Sequence, residues 1–259
     1  MEAAQSTMNR ELSSINKWIH ANGLTLNIEK SAYMVFNRTQ VDVGQIQVSI
    51  DHQTLNRVKQ FKFLGVTLDN KLTWKLHIEY VRNKVSKICG LLYRIRQQLD
   101  TKSLLMIYNS LIYSSLVYGV IFWGGACTSY LKQVVVIQKR ALRTIFFLKR
   151  RQTTQGIFNE YKILRQHQIY QYFVLIFVFK CLNYLYPFND FHLSSHEYPT
   201  RNNNQQLIIP LFDTVHAQQC ILYTGVSEWN KLPLNLRNCL SLNVFKRHLK
   251  KRLLGLNDV

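Results

Sequence analysis

The residues best suited to chemistry in this sequence are basic ones that recur along one predicted helix, over residues 129–151. Drawn at 3.6 residues per turn, four of them lie within about 20° of one line: Lys132, Lys139, Arg143 and Arg150. No acidic residue occurs between Cys127 and Asn159 to neutralise them. A merely solvated charged face usually mixes both signs, so we predict that this row contacts the phosphates of a nucleic acid.

The charge of the whole chain supports a polyanionic partner. The sequence has 33 Lys and Arg residues against 14 Asp and Glu residues, a formal charge of +19. The excess is uneven: residues 1–75 contain 9 basic and 6 acidic residues, and residues 76–259 contain 24 and 8. Such an excess predicts binding to either a nucleic acid or an acidic membrane surface.

Residues for catalysis are largely missing. Nucleotidyl transfer requires paired carboxylates that hold two metal ions, and no acidic pair stands on a turn between two apolar strands. Serine or cysteine triads and phosphate-binding loops are absent as well. The pairs His192/His196 and His216/Cys220 have metal-like spacing but no second pair of ligands, so we predict no metal site.

The five cysteines are widely spaced and include no Cys-x-x-Cys pair. This pattern argues against a disulfide framework and against a zinc knuckle. It predicts a reducing, intracellular environment, either nuclear or cytoplasmic.

The first part of the chain reads as short helical and extended pieces. Apolar spacing predicts a helix over residues 7–21 and short strands over 33–36 and 46–50. In residues 61–66, Phe61 and Phe63 alternate with Lys62. We therefore predict one strand of a hairpin with both rings in a core, and a bulge or close backbone approach at Gly65.

Helical patterns dominate after residue 75. An apolar stripe predicts a helix over residues 76–97, and Asp100 is expected to cap the next one. Residues 104–126 carry no charge and are long enough to span a bilayer, and residues 169–186 pose the same question. Their polar residues, and Lys180, favour core helices instead. Residues 225–233 predict a compact turn, and Ser241 is expected to cap a last helix.

Together these patterns predict a mainly α fold with a small α+β start. A helix and an antiparallel hairpin come first, followed by an all-α bundle and an irregular tail. The predicted domains are residues 1–75, 76–151 and 152–259.

Four blocks of the sequence are distinctive and follow one another in order: Leu24-x-Leu26-Asn27-x2-Lys30-Ser31, then Phe63-Leu64-Gly65-Val66 with Trp74 and His77, then Gln138-Lys139-Arg140-Ala141-x-Arg143, then Trp229-Asn230-x-Leu232-Pro233. In this order they resemble the C-terminal part of non-LTR (LINE-type, jockey-like) retrotransposon reverse transcriptases. The resemblance implies a palm remnant over residues 1–75, a helical thumb over 76–151 and a helical tail over 152–259.

The resemblance also implies roles for individual residues. The hairpin is similar to the primer grip of that family, with these residues: Phe61, Lys62, Phe63, Leu64, Gly65 and Val66. Lys30 aligns with a palm lysine that would protonate pyrophosphate as a general acid, although a surface lysine at a strand edge fits equally well. The set expected to bind nucleic acid comprises Lys87, Arg94, Lys132, Lys139, Arg140, Arg143 and Arg150.

The two-aspartate turn that precedes the palm segment in the family does not occur here. We therefore expect a C-terminal fragment of an RNA-directed DNA polymerase that binds RNA template and DNA primer without sequence preference and catalyses nothing alone. Its missing upstream polymerase domain would be a partner. Mg²⁺ is expected only for the full-length polymerase, and no cofactor for this fragment. The alternatives are a basic helical membrane protein with spans near 104–126 and 169–186, or a domesticated RNA-binding helical module.

Overall fold

The computed structural model describes residues 2–36, 46–51, 53–188, 190–193 and 206–256, so His196 lies outside the described residues. The chain divides into two compact units, Met1–His77 and Ile78–Val259. The helices are α1 (Glu2–Ala21), α2 (Lys75–Ile95), α3 (Thr101–Ile107), α4 (Ser114–Val117), α5 (Val120–Trp123), α6 (Thr128–Ile145), α7 (Gln155–Glu160), α8 (Gln166–Leu182), α9 (Ile221–Asn230), α10 (Leu234–Arg237) and α11 (Leu242–Leu253). The strands are β1 (Ala32–Tyr33), β2 (Ser49–Ile50), β3 (Gln53–Thr54), β4 (Asn56–Arg57), β5 (Gln60–Phe63) and β6 (Val66–Asp69).

The predicted fold class is confirmed, because helices dominate and each described sheet has only two strands. The division of the helical region into domains at residue 151 stays a prediction.

The first unit has a small core of its own. Four buried residues form it: Ile46, Val48, Ile50 and Leu55. Helix α1 contributes Leu12, which is partly buried against them. The Asn9 side chain ties α1 to this core, since it donates to the carbonyl of Gln47 and accepts from the amide of Ser49, each at 3.2 Å. One strand pair, β1 with β4, is parallel rather than antiparallel. The long connection between these strands permits the crossover that parallel pairing requires.

The hairpin of β5 and β6 differs from its prediction in two respects. Phe63 pairs with Val66, and Leu64 (φ 45°) and Gly65 (φ 82°) form the two-residue turn between them. Positive φ at both positions is typical of a type I′ hairpin turn. Of the two predicted alternatives for Gly65, the bulge is therefore wrong, and the close backbone approach stays a prediction.

The predicted burial of the hairpin's rings is also wrong. Phe61 is 41% exposed and Phe63 is 56% exposed. The cause is the size of the sheet: in the part of the chain described, β5 pairs with β6 alone and the face carrying both rings has no layer over it.

In the second unit, the apolar stripe of α2 is buried as predicted, through Ile78, Val81, Val85 and Leu92. The Asp100 side chain accepts a hydrogen bond from the amide of Ser103 and so caps α3. Residues 104–126 do not form one helix. A π-helical stretch, Tyr108–Tyr113, joins α3 to α4, and Gly119 at φ 60° turns the chain into α5.

Burial along this segment follows one face only. Leu104, Tyr108, Ile112 and Leu116 are inaccessible to solvent, whereas Met106 is 64% exposed. Among the helices of the described residues, none has both the length and the apolar composition needed to cross a membrane.

One apolar core of this unit lies among α8, α9 and α11. Phe179 and Phe245 stack with ring centroids 4.4 Å apart, and Trp229 packs beside Phe245. The predicted turn over residues 225–233 is wrong, because Gly225 lies inside α9. A Cβ there would approach Cγ2 of Val178 to 2.9 Å, so glycine allows α9 to lie close to α8.

Replacing Phe63 by Ser is expected to change the free energy of unfolding by less than about 0.5 kcal/mol, since the ring is exposed in the folded protein. Replacing Ile50 by Ala in the core of the same unit should cost about 2 kcal/mol or more. Chemical denaturation of both variants measures the difference. A Phe63→Ser variant as unstable as Ile50→Ala would place the ring in a core after all.

Candidate nucleic-acid interface

A basic cleft of about 630 Å³ opens between α2 and α6. Helix α2 lines it with Cys89 and Tyr93, and Arg96 directly follows that helix. Helix α6 contributes Val136, Arg140, Arg143 and Thr144, and Leu148 and Arg150 follow α6. Four of these nine side chains are arginines. We call this surface the arginine cleft.

The arginines come together differently from the prediction, which placed Arg143 and Arg150 on one face of a single helix over residues 129–151. Helix α6 ends at Ile145, not at residue 151, and the chain turns at Phe147 with φ 53°. Arg143 holds that turn, because its Nε donates to the carbonyl of Gln152 at 3.1 Å. The turn then brings Arg150 to the cleft that Arg140 and Arg143 line from the helix.

The cleft is strongly positive. Among the described residues, no ion pair to a carboxylate is found for any of its arginines. Burial raises the pKa of the Cys89 thiol to about 11, although the positive charge of Arg140 opposes the shift. Cys89 therefore stays neutral at physiological pH and leaves the positive charge uncompensated.

An aromatic cluster at the cleft was missed from the sequence. The Arg96 guanidinium lies 4.4 Å from the ring centroid of Tyr93 and 4.8 Å from that of Phe147. Phe147 is a left-handed residue just past the end of α6, a position where glycine is usual and another residue costs about 1–2 kcal/mol. The available signal was the spacing of Tyr93 and Arg96, three apart in the segment predicted as a helix over residues 76–97, since such residues are neighbours on a helix.

Two predicted residues of α2 do not line the cleft. Lys87 precedes the lining residue Cys89 by two positions, which places it about 160° around the helix, and Arg94 follows the lining residue Tyr93 by one, about 100° around it. Lys132 and Lys139 lie on α6, in line with Arg143, but outside the lining. Contact of these four residues with nucleic acid stays a prediction.

The orientation of α6 depends on one buried amide. Gln138 is inaccessible to solvent, and its Nε2 donates to the Tyr108 hydroxyl at 3.1 Å and to the Leu164 carbonyl at 2.9 Å. Its Oε1 accepts from the amide of Gln166, at the start of α8, at 3.1 Å. One side chain thus joins α6 to two other parts of the second unit, and burial raises the pKa of Tyr108 well above its usual range.

A single carboxylate organises the junction between the hairpin and α2. Asp69 accepts hydrogen bonds from the amides of Lys71, Thr73 and Trp74 at 2.9–3.1 Å, and from the Thr73 hydroxyl at 3.2 Å. These bonds satisfy amides just before α2 that the helix itself cannot. The hairpin carries Lys62 exposed beside Phe61 and Phe63, whereas Lys30 is exposed at the end of a 3₁₀ turn, Ile28–Lys30.

The buried side chain of His77 lies at the same junction between the hairpin and α2. It is 2% exposed, and its Nδ1 accepts a hydrogen bond from the amide of Thr67 at 3.3 Å. Burial lowers the pKa of His77 to about 4. The ring is therefore neutral at physiological pH, with its proton on Nε2, because Nδ1 acts as the acceptor.

Sequence comparison identifies relatives of this chain. Over 148 residues it is 30% identical to the RNA-directed DNA polymerase from mobile element jockey of Drosophila melanogaster, which covers 55% of this chain. Over 146 residues it is 27% identical to the jockey polymerase of Drosophila funebris. A probable RNA-directed DNA polymerase from transposon X-element of Drosophila melanogaster is 36% identical over 88 residues, 32% of this chain.

The chain is similar to non-LTR retrotransposon reverse transcriptases. The resemblance predicted from the sequence is thereby confirmed. The chain spans only 16% of the length of the two jockey polymerases and 10% of the X-element protein. No protein-family model matches it, and no solved structure does.

Mg²⁺, the ion expected for a full-length reverse transcriptase, has no counterpart among the described side chains. None of them form a group of three or more His, Cys, Asp or Glu residues able to hold a metal ion. The arginine cleft, with four guanidinium groups and no carboxylate paired to them among the described residues, is suited to an anion.

Replacing Gln138 by Leu is expected to lower the free energy of unfolding by roughly 3 kcal/mol or more. The change leaves the Tyr108 hydroxyl, the Leu164 carbonyl and the Gln166 amide buried without their partner, at about 1–3 kcal/mol each. Tyr108→Phe removes one hydrogen bond and should cost roughly 1 kcal/mol. Equal losses in the two variants, measured by urea unfolding, would contradict the central role of Gln138.

The low pKa of His77 predicts a pH dependence of stability. In the unfolded chain His77 titrates near 6.5, so between pH 6.5 and 4 the unfolded state binds a proton that the folded state does not. The stabilisation is complete above pH 6.5 and lost as the pH falls towards 4, by roughly 3 kcal/mol in total.

Chemical denaturation of the chain at pH 7 and at pH 5 tests this dependence. His77→Gln should make stability less dependent on pH, because the variant removes the group that titrates. A slope that survives in His77→Gln would assign the pH dependence to other groups.

Proposed function

We propose that this chain is the thumb-bearing C-terminal part of a non-LTR retrotransposon reverse transcriptase, and that its arginine cleft holds nucleic acid by the phosphate backbone. The observation that carries the proposal is the convergence of Arg96, Arg140, Arg143 and Arg150 on one cleft with no carboxylate paired to them in the described residues. The relatives are named RNA-directed DNA polymerases, which supports the same proposal.

Guanidinium groups suit this role because they donate two parallel hydrogen bonds to one phosphate. The bond from Arg143 to the Gln152 carbonyl holds its side chain in place before a ligand arrives. Phosphate contacts carry no base information, so binding by this cleft is independent of sequence. The nucleic acids that a reverse transcriptase binds are its RNA template and its DNA primer.

The hairpin is the second surface of the proposal. Phe61, Phe63 and Leu64 are exposed around its turn, and Lys62 lies between the two rings in sequence. We assign this surface to the end of the primer, in the manner of a primer grip, and Lys30 of the same unit stays a proposed general acid.

The salt dependence of binding tests the cleft. Arg140→Gln combined with Arg143→Gln removes two charges from the lining. If each contacts a phosphate, the plot of log affinity against log salt becomes shallower by about 1.4 units for a single strand and about 1.8 for duplex DNA. Fluorescence anisotropy with a labelled oligonucleotide at several salt concentrations measures the slope.

The control removes the same charge from α11, which does not line the cleft, by Arg247→Gln combined with Lys250→Gln. Its slope should stay close to that of the unmodified chain. Equal changes in both double variants would show only a diffuse effect of net charge. An unchanged slope in the Arg140/Arg143 variant would remove the arginine cleft from the interface.

A further inference from the structure

We propose that the arginine cleft selects single-stranded nucleic acid, and that an unpaired base stacks on the aromatic cluster of Tyr93 and Phe147 while the arginines hold the adjoining phosphates. This inference rests on the proposed function, since it requires that nucleic acid enter the cleft. It adds the strandedness of the ligand and the residues that recognise it.

The exposure of the two rings is the first observation. Tyr93 is 63% exposed and Phe147 is 54% exposed, and both lie beside the Arg96 guanidinium. Tyr93 lines the cleft, and Phe147 contacts the lining residue Arg96 and directly precedes the lining residue Leu148. Aromatic rings beside arginines in a positive groove are the arrangement by which proteins hold unpaired bases.

The backbone of Phe147 is the second observation. Its φ of 53° places it in the left-handed region at the end of α6, where glycine meets no steric penalty. A residue with only a structural task at this position would be better as glycine. A large apolar ring that is both exposed and held on a strained backbone indicates a contact outside the folded chain.

The accessibility of base faces distinguishes a single strand from a duplex. In a duplex, base faces are already stacked on their neighbours and are closed to a protein ring. Only an unpaired base offers Tyr93 or Phe147 a free face.

Two variants test the inference, Tyr93→Leu and Phe147→Gly. The probes are a labelled thymidine oligonucleotide and a DNA hairpin with the same number of phosphates. Each variant is expected to weaken binding of the single strand about fivefold or more, as loss of one stacked base does, and to leave hairpin binding unchanged. The salt slope should stay the same, because neither variant removes a charge.

The Tm of Phe147→Gly distinguishes a binding role of Phe147 from a purely structural role, because a structural role predicts a lower Tm and a binding role does not. Phe147→Gly relieves the backbone, so its Tm should equal or exceed that of the unmodified chain while its affinity for the single strand falls. The matched control is Phe122→Leu, which removes a similarly exposed ring, 59% exposed, outside the cleft lining. This variant should bind both probes normally.

Three outcomes would overturn the inference: unchanged single-strand affinity in both variants, equal losses for the hairpin, or a preference of the unmodified chain for the hairpin. Each can occur while the Arg140/Arg143 variant still shows its shallower salt slope, in which case the cleft binds phosphates and only the stacking is refuted. Absence of any binding by the unmodified chain would refute both proposals.

Discussion

The second unit of this protein depends on burying one amide group in full. Gln138 uses both the donor and the acceptor side of its amide, and its partners belong to parts of the chain 26 to 30 residues away. An unpaired amide in the same place would be costly, so the three bonds permit one register of α6. Arg140 follows two residues later, about 160° around the helix from the buried amide. The constraint that satisfies the core therefore also points Arg140 to the cleft.

The arginine cleft is an unfavourable arrangement for the free protein. Positive charges that repel each other line it, and Phe147 next to it holds a left-handed backbone. Burial of Cys89 adds a neutral thiol rather than a compensating charge. The extensive apolar core around Phe179, Trp229 and Phe245 offsets these costs elsewhere in the unit. The phosphates of a nucleic acid would reduce the repulsion between the arginines, and one of its bases would cover the exposed rings. A single nucleic-acid ligand would therefore account for both features.

The hairpin, unlike the arginine cleft, is held by interactions between residues that are close in sequence. Its turn at Leu64 and Gly65 and its four-residue strands are defined by neighbours in the sequence. Asp69 then accepts hydrogen bonds from the amides of Thr73 and Trp74, four and five residues later and just before α2 begins. Such a motif forms without burying its own rings, which leaves Phe61 and Phe63 available for contact with a ligand.

The sequence by itself determined the features that depend on near neighbours. The apolar stripe of α2, the Asp100 cap, the hairpin and the acid-free basic segment all follow from residues at most a few turns apart, and the ordered blocks identified the relatives. Tertiary structure decided the end of α6 at Ile145, the helical state of Gly225 and the exposure of Phe63. It also brought Arg96 and Tyr93 to Arg140 and placed Lys87 on the far side. Periodicity is a property of one segment, whereas burial and convergence depend on which distant segments cover it.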